Sequence, residues 1–297
     1  MVRLFYRFIT FGTNMLGVWF FKIFSRFVAT CYFIFSPRRV SVGVRFYQTL
    51  FPERGKTHHL WCVFRQFNSF TNVFLDRFLF ERYGGIEYTS EGWDRLEQAC
   101  AAGKGGIIVM SHVGNWDVAA HLLRRRGMEL LLYMGARQKE QLERMQKTSL
   151  MDEGLTVIAV DHEGGTPFDI LEGLRFLRKG GLISLTGDRL WTRDQRKVEV
   201  RFAGGRAYLP EAPHALALAS GAPLFFLFSL RTGEQRYHIA AHGPWHVTSS
   251  SRMQRQEAIR MSAQHYADIL WNTARRYPDQ WYHFEEFLLH PSKGGKD

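Results

Sequence analysis

The 297-residue chain has few of the residues that cross-link small folds or bind nucleotides. Its three cysteines, Cys31, Cys62 and Cys100, form no Cys-x-x-Cys pair, which excludes a disulfide scaffold and a zinc ribbon and fits a reducing compartment. A Gly-x-Ser-x-Gly sequence is absent, which argues against an α/β-hydrolase esterase. The glycine-rich segment 103–106 lacks the spacing of a Walker loop, so it is interpreted as a helix end.

Long apolar runs are also missing from the N-terminus, where each uncharged run is shorter than the roughly 20 residues that span a bilayer. Two such runs cover residues 8–21 and 27–36, and Lys22 and Arg26 lie between them. These two cations share one helix face, from which they can reach lipid headgroups. Residues 1–36 are therefore predicted to be an uncleaved membrane-associating segment that either spans the bilayer or lies flat. Burial within a soluble protein is the alternative.

Acidic residues are in the minority, since 39 Lys and Arg face 28 Asp and Glu, giving a net charge of +11. Such a surface favours anionic partners: nucleic acid, anionic lipid, a phosphorylated substrate or an acidic carrier protein. Aromatic residues reach 15% of the chain, which points to a membrane surface first and to single-stranded nucleic acid second. The densest basic run, residues 124–126, fits the negative pole of a predicted helix end, so no nucleic-acid partner is expected.

From residue 91 onward, helical periodicity alternates with short β-rich runs, which predicts an α/β sheet flanked by helices. An aromatic helix is predicted earlier, over residues 60–80. Strands are predicted at 107–110, 130–134, 156–160, 182–186, 198–202, 224–230 and 237–241. Helices are predicted at 116–126, 139–151, 168–179, 212–219 and 255–277. In such folds the chemistry lies at the carboxyl ends of strands.

The segment 111–117 follows the strongest predicted strand directly and contains both His112 and Asp117. If Asn115 caps the next helix, His112 lies in the loop and Asp117 in the first turn, where the two side chains can meet. Asp117 would then hold the imidazole tautomer while the other ring nitrogen takes a proton. Gly114 beside them permits close backbone approach to a ligand. Residues 112–117 therefore form the candidate catalytic motif.

This segment resembles the His-x-x-x-x-Asp block of the lipid A late acyltransferases, the lauroyl and myristoyl transferases within the glycerolipid acyltransferase superfamily. The similarity covers nearly the whole chain. It extends to residues 36–39 and 50–53 near the N-terminus, to 180–181, 187–188, 202–205 and Pro210 in the middle, and to 277–282 near the C-terminus. The resemblance implies a mixed α/β sheet with a membrane-associated N-terminal helix, and residues 37–297 as the acyltransferase domain.

The resemblance also implies transfer of a fatty acyl group from an acyl carrier protein thioester to a hydroxyl of a lipid A precursor or related glycolipid. The expected location is the cytoplasmic face of the inner membrane, and no cofactor or metal is expected. His112 would be the general base and Asp117 its partner. The oxyanion donor is left open between the amides near Val113 and Gly114 and a nearby arginine. Alternatives are acylation of another lysophospholipid or an aminolipid, and a non-catalytic membrane-binding homologue.

Three departures from the family pattern concern the acceptor. Where members often have Tyr-Arg-Pro, this chain reads Tyr-Met-Gly-Ala-Arg over residues 133–137, and Arg137 is a candidate replacement. Where many have Asp-Gln, it has Asp188 and Arg189, whose guanidinium could hold a phosphate or another headgroup. Glu285 and Glu286 stand where the C-terminal block is commonly basic. The predicted substrate-binding residues are listed together: Gly114, Asn115, Arg137, Asp188 and Arg189.

Overall fold

The computed structural model describes residues 12–13, 15–135, 156–160, 167–192 and 194–289. The described helices are α1 (Val18–Phe35), α2 (Pro37–Leu50), α3 (Lys56–Tyr83), α4 (Trp93–Ala101), α5 (Trp116–Arg125), α6 (Pro167–Arg178), α7 (Ala212–Ser220) and α8 (Arg255–Arg276). The described strands are β1 (Glu87–Glu91), β2 (Gly106–Gly114), β3 (Leu130–Gly135), β4 (Thr156–Val160), β5 (Leu182–Thr186), β6 (Lys197–Phe202), β7 (Gly205–Pro210), β8 (Leu224–Gly233), β9 (Arg236–Trp245) and β10 (Leu288–Leu289). The predicted helix over residues 139–151 lies outside the described residues.

Seven strands form one mixed sheet in the order β1-β9-β8-β2-β5-β3-β4. Strand β2 is central, with β5 and β8 parallel to it on either side, whereas β9 runs antiparallel to β8. Along the chain, α5 lies between β2 and β3 and α6 lies between β4 and β5, as crossovers between parallel strands require. The predicted α/β class, with a mixed sheet flanked by helices and an apolar N-terminal helix, is confirmed.

Burial on both faces explains why β2 reads as a continuous apolar run. Ile107 and Val109 point into a core shared with α7 and α8, while Ile108 and Met110 point into a second core shared with α4 and α5. Successive side chains of a strand face opposite sides, so a central strand with a helical layer on each side has no polar face.

The predicted strand at 198–202 belongs to a separate, three-stranded antiparallel sheet with the order β10-β7-β6. Strands β6 and β7 form a hairpin in which Phe202 pairs with Gly205. The two turn residues, Ala203 and Gly204, have φ values of 56° and 75°. Positive φ at both positions matches the twist of a tight hairpin and is strained for any residue except glycine. Neither β7 nor β10 is among the strands predicted from the sequence.

Helix α1 is the one described helix that is long and apolar enough to cross a membrane, with a mean hydropathy of 1.5. It packs against α3, where Phe21 lies with Leu75, Phe78 and Leu79. The aromatic helix predicted at 60–80 is longer than expected, since α3 covers Lys56–Tyr83. It supports α1 by these contacts. Helix α3 also contacts the C-terminal segment beside the candidate site, because Phe70 lies against Tyr282 with ring centroids 5.0 Å apart.

Candidate functional site

The candidate site lies where β2 and β5 end side by side. The two strands are parallel neighbours, paired from Gly106 with Leu182 to Met110 with Thr186, so their carboxyl ends meet at one edge of the sheet. His112 lies near the end of β2, and Asp188 follows β5 by two residues. This is the edge at which open α/β sheets carry their ligand sites.

Asp188 binds His112 at both its ring and its backbone. The His112 ring nitrogen Nδ1 lies 2.8 Å from Asp188 Oδ1, and the His112 amide donates to Asp188 Oδ2 at 2.9 Å. The indole Nε1 of Trp281 also donates to Oδ2, at 2.8 Å. Three donors therefore fix a carboxylate whose side chain is fully buried, while the His112 side chain keeps 20% of its surface exposed.

The protonation of this pair follows from its surroundings. Burial opposes charge on Asp188, but the charge and hydrogen bonds of His112 and the charge of His283 outweigh it and hold the pKa of Asp188 well below its ordinary range. An ionised carboxylate only accepts hydrogen bonds, so Nδ1 of His112 carries the proton. When the ring carries only this proton, Nε2 holds a lone pair and can take a proton from a substrate.

The predicted partner of His112 needs correction, because Nδ1 binds Asp188 and not Asp117. Asp117 lies in the first turn of α5, as expected, but the ion pairs that its buried carboxylate makes are with other groups. Its Oδ2 is 3.4 Å from Arg77 Nη1 on α3, and its Oδ1 is 3.9 Å from His121 Nε2 on the next turn. Strand β2 has an irregular register between Met110 and Gly114, and the chain turns between Gly114 and the start of α5, so Asp117 lies against Arg77 of α3 instead of the end of β5.

Gly114 and Asn115 have structural contacts in this turn. Gly114 has a φ of +81°, and a Cβ there would lie 2.0 Å from the carbonyl oxygen of Ser229. The close approach that requires glycine is thus to β8. Asn115 precedes α5 and makes no side-chain cap; its Nδ2 donates to Tyr237 Oη at 3.2 Å.

One candidate oxyanion donor is occupied within the protein, because the Val113 amide donates to Ser111 Oγ at 3.1 Å. The amide that follows Gly114, that of Asn115, donates to the Ser229 carbonyl at 2.8 Å. Arg189 is a nearby arginine whose charge lowers the pKa of His283, next to His112. Arg137, the remaining predicted binding residue, lies outside the described residues.

His283 is a site residue that the sequence did not reveal. Its ring lies edge-on to His112, with centroids 6.3 Å apart. Burial, followed by the nearby Arg189 and His112 charges, lowers the pKa of His283 to about 4 against the opposing effect of Asp188. His283 is therefore neutral near pH 7. The available signal was its position directly after the recognised C-terminal block.

The C-terminal segment is tied to the end of β2, which explains how distant residues reach the site. Val113 and Trp281 form an antiparallel bridge, and the Tyr282 amide donates to the His112 carbonyl at 2.9 Å. Gln66 of α3 donates to the Trp281 carbonyl on the other side. His112 is thus held from both its backbone and its ring before any substrate arrives.

A small cleft, partly open to solvent, adjoins His283. Its walls come from α2, α3 and the C-terminal segment, and half of the residues that line it are polar or charged. The lining residues are Val42, Arg45, Phe46, Gln66, Trp281, His283, Glu285, Glu286, Phe287 and Leu288. Arg45 pairs with Glu286 across this cleft.

A buried polar network supports the turn from beneath. Asp76 of α3 is fully buried and accepts two hydrogen bonds from Arg231, at 2.6 and 3.1 Å. Tyr237 Oη donates to the same carboxylate at 2.6 Å and accepts from Asn115. The network joins α3, β8 and β9 to the residue before α5, so it fixes the turn that carries His112.

Among the described residues, no group of three or more His, Cys, Asp or Glu side chains is placed so that it could hold a metal ion. The described site contains an imidazole, that of His112, which Asp188 orients, and such a group suits proton transfer to and from a substrate.

Comparison with known proteins places the chain in a family. Residues 77–289 match the bacterial lipid A biosynthesis acyltransferase family, and this match covers most of the chain. The chain belongs to that family, which confirms the resemblance seen in the sequence. The matched range contains His112, Asp117, Asp188 and the C-terminal segment to β10.

Curated relatives are proteins named phosphatidylinositol mannoside acyltransferase. One from Mycobacterium tuberculosis is 31% identical over 133 residues, which is 45% of this chain and 41% of that protein. One from Mycolicibacterium smegmatis is 30% identical over 132 residues, 44% of this chain and 42% of that protein. The chain thus spans about two fifths of the length of the curated relatives it matches.

Proposed function

We propose that the protein is a membrane-associated O-acyltransferase that moves a fatty acyl group from a thioester to a hydroxyl of a lipid or glycolipid. The hydrogen-bonded His112 and Asp188 pair at the carboxyl ends of β2 and β5 carries this proposal. Family membership and the names of the relatives support the reaction class.

In this mechanism His112 Nε2 removes the proton of the acceptor hydroxyl as the oxygen attacks the thioester carbonyl. Asp188 keeps Nδ1 protonated and stabilises the imidazolium that forms. The tetrahedral intermediate then collapses, the carbon–sulfur bond breaks, and the imidazolium gives its proton to the leaving thiolate. The products are an ester and a free thiol, and His112 returns to its neutral form.

The remaining predicted residues have supporting roles. Arg189 is proposed to stabilise the developing oxyanion, because it directly follows Asp188 and its charge reaches His283. Asp117 is proposed as a positioning residue that acts through Arg77 to hold α5 against α3. Gly114 and Asn115 shape the turn, and Arg137 is retained as a candidate for acceptor binding.

The proposed donor is acyl carrier protein, the proposed acceptor is a lipid A precursor or related glycolipid, and the proposed location is the cytoplasmic face of the inner membrane. Residues 1–36 would provide the membrane-associating segment, with residues 37–297 as the acyltransferase domain. An acidic carrier suits a chain with a net charge of +11. The rings of Phe46, Trp281 and Phe287 in the cleft beside His283 offer apolar contacts to part of an acyl chain.

An amine-bearing acceptor is a second candidate, favoured by the exposed carboxylates of Glu285 and Glu286. These residues border the cleft at a place where the family is commonly basic. Arg45 pairs with Glu286 beside the same cleft.

Lipid analysis tests both candidates. Mass spectrometry of total lipids from a deletion strain should show loss of one acyl group from a glycolipid, with accumulation of the species lacking it. Complementation with the wild-type gene should restore the acylated species, and complementation with the His112→Ala variant should not. Loss of an acyl group from an aminolipid would favour the second candidate, and an unchanged lipid profile in the deletion strain would contradict both.

The donor is tested by initial rates in neutral detergent with one acceptor and either a carrier-bound acyl group or the same acyl group on coenzyme A. Docking of an acidic carrier should make kcat/KM fall steeply as salt rises from about 50 to 500 mM, because screening shortens the Debye length. Coenzyme A has a smaller docking surface, so its rates should be lower and less sensitive to salt. Equal and flat salt curves would remove the carrier.

A further inference from the structure

We infer that α1 lies in the plane of the membrane surface, with one face in the lipid and the other on α3, and does not cross the bilayer. The inference concerns how the protein meets lipid and goes beyond the proposed reaction. It rests on the packing of α1, on the polar groups beside it and on the side chains that it leaves exposed.

Helix α1 is attached to α3 along most of its length. Near its start, Phe21 packs on Phe78 with ring centroids 5.7 Å apart. Near its end, Phe33 packs on Phe64 and Phe67 at 5.5 and 5.9 Å. Later residues of α1 therefore meet earlier residues of α3, which makes the two helices antiparallel neighbours.

Helix α3 cannot follow α1 into a bilayer. Within the stretch that contacts α1, residues 64–78, it carries Arg65, whose side chain is 57% exposed and pairs with Asp279. It also carries the buried Asp76, which is bonded to Arg231 of β8 and so ties α3 to the central sheet. Placing this stretch in hydrocarbon would take the exposed Arg65 ion pair out of water and draw the sheet with it, which opposes insertion.

The ion pair of Lys22 adds a second constraint at the start of α1. Lys22 Nζ contacts Glu234, at the turn between β8 and β9, and both side chains are partly exposed. A crossing helix would draw this turn toward the hydrocarbon, whereas a helix lying on the surface leaves the pair at the level of water and headgroups.

Helix α1 exposes a narrow stripe of apolar side chains along its length. Trp19, Ile23, Phe27 and Ile34 are each more than half exposed. At 100° per residue they fall within an arc of about 80°, on the side away from α3. A stripe of this kind on one helix marks an interaction surface, and its width suits insertion at the boundary of headgroups and acyl chains.

Basic residues flank the stripe and identify its occupant as an anionic lipid surface. Arg26 is exposed beside Ile23 and Phe27, and Arg38 and Arg39 are exposed just beyond the end of α1. Arginines at this level reach phosphates while the apolar side chains enter the acyl region. A protein partner would not require this combination of a bare apolar stripe and a cationic border.

The test measures depth at three positions of the stripe. In a background with Cys31, Cys62 and Cys100 changed to serine, single Trp19→Cys, Phe27→Cys and Ile34→Cys variants are labelled with a polarity-sensitive fluorophore. They are bound to phosphatidylethanolamine–phosphatidylglycerol vesicles carrying nitroxides at a shallow or a deep acyl position. Met253→Cys, at a position 95% exposed elsewhere, is the control.

An in-plane helix should give the same ratio of shallow to deep quenching at all three positions, with the shallow nitroxide stronger and the control unquenched. A crossing helix would place residues 19 and 34 about 22 Å apart along its axis, with Phe27 deepest. A deeper ratio at Phe27 alone would therefore overturn the inference. Absence of quenching at all three positions would overturn it too.

A charge variant tests the surface independently. Ile23→Glu with Phe27→Glu should lower the vesicle-bound fraction at least tenfold, while Met253→Glu with Met261→Glu, which adds the same charge at two other exposed apolar positions, should leave it unchanged. Equal binding of both variants would contradict the inference. Acyl transfer in detergent is measured separately, so its absence would count against the proposed function and not against the helix orientation.

Discussion

Asp188 holds His112 by two bonds at once, from the ring nitrogen Nδ1 to Oδ1 and from the backbone amide to Oδ2. Because one carboxylate receives both, the rotation of the imidazole is tied to the position of its own backbone. Trp281 closes the arrangement by donating to Oδ2. In the proposed reaction a substrate would meet a base that is already oriented, which lowers the reorganisation needed in the transition state.

Substitution of either member of this pair tests its catalytic role. His112→Ala should reduce kcat by about 100- to 10,000-fold, the usual contribution of a general base, while the folded protein still binds membranes. Asp188→Asn should approach that loss, because an amide can donate to Nδ1 and stabilise the wrong tautomer. The kcat of the double variant should be no lower than that of the less active single variant, because the effects of two residues that act as one unit do not add.

The matched control for this measurement is His246→Ala, an exposed histidine outside the site. Its kcat should equal that of the wild-type protein. A kcat of His112→Ala within threefold of the wild-type value would contradict the assignment of His112 as the base.

Asp117 is expected to act on structure more than on chemistry. Asp117→Asn weakens a buried ion pair with Arg77, and breaking such a pair costs about 3–5 kcal/mol of unfolding free energy. Urea unfolding should show this loss, and Arg77→Met in the same chain should recover part of it, because the uncompensated charge is removed. The kcat of the folded Asp117→Asn variant should fall less than that of Asp188→Asn.

A kcat loss for Asp117→Asn equal to that of His112→Ala, with unchanged stability, would restore Asp117 as the partner of the imidazole. Both variants are therefore measured under the same conditions, well below their unfolding midpoints.

The sequence was sufficient to predict the fold class because the signals were local. The central strand at 107–110 has no polar face, and the helices around it have regular apolar spacing, so periodicity alone predicted both. The separate sheet with β7 and β10 was not predicted. His112 was proposed as the base because it follows the predicted strand directly, and its role stays a prediction.

The partner of His112 was not predictable in the same way. Asp117 is five residues away in sequence, whereas Asp188 is 76 residues away and reaches Nδ1 only because β5 lies beside β2. Strand order is a long-range property that spacing does not encode. His283 was missed for the same reason, since it approaches the site through the bridge between Val113 and Trp281.

The network beneath the site gives a stability prediction. Asp76→Ala removes the carboxylate that pairs with Arg231 of β8 and accepts the hydrogen bond of Tyr237. We therefore expect a loss of about 3–5 kcal/mol in unfolding free energy. The control is Glu87→Ala, which breaks the exposed pair with Arg236 and should cost at most about 1 kcal/mol. Equal unfolding midpoints for the two variants would show that the buried network does not stabilise the fold.

Buried histidines predict loss of stability in acid. His214 is fully buried, its Nδ1 lies 2.8 Å from Ser262 Oγ, and burial lowers its pKa to about 3. The pKa of histidine in an unfolded chain is about 6.5, so between these values the unfolded state binds more protons. The stabilisation is complete above pH 6.5 and is lost as the pH falls toward 3. At pH 5 the loss amounts to about 2 kcal/mol for this one group.

Removing the titrating ring isolates that contribution. His214→Asn keeps a hydrogen-bonding group near Ser262 but cannot gain a proton, so its unfolding free energy should fall by about 2 kcal/mol less than that of the wild-type protein between pH 7.5 and pH 5. Any packing cost of the substitution is present at both pH values and cancels in this comparison. His283, whose pKa is lowered to about 4, contributes in the same direction in both proteins and also cancels. Identical pH slopes in urea unfolding would show that His214 is already protonated, or exposed, in the folded state.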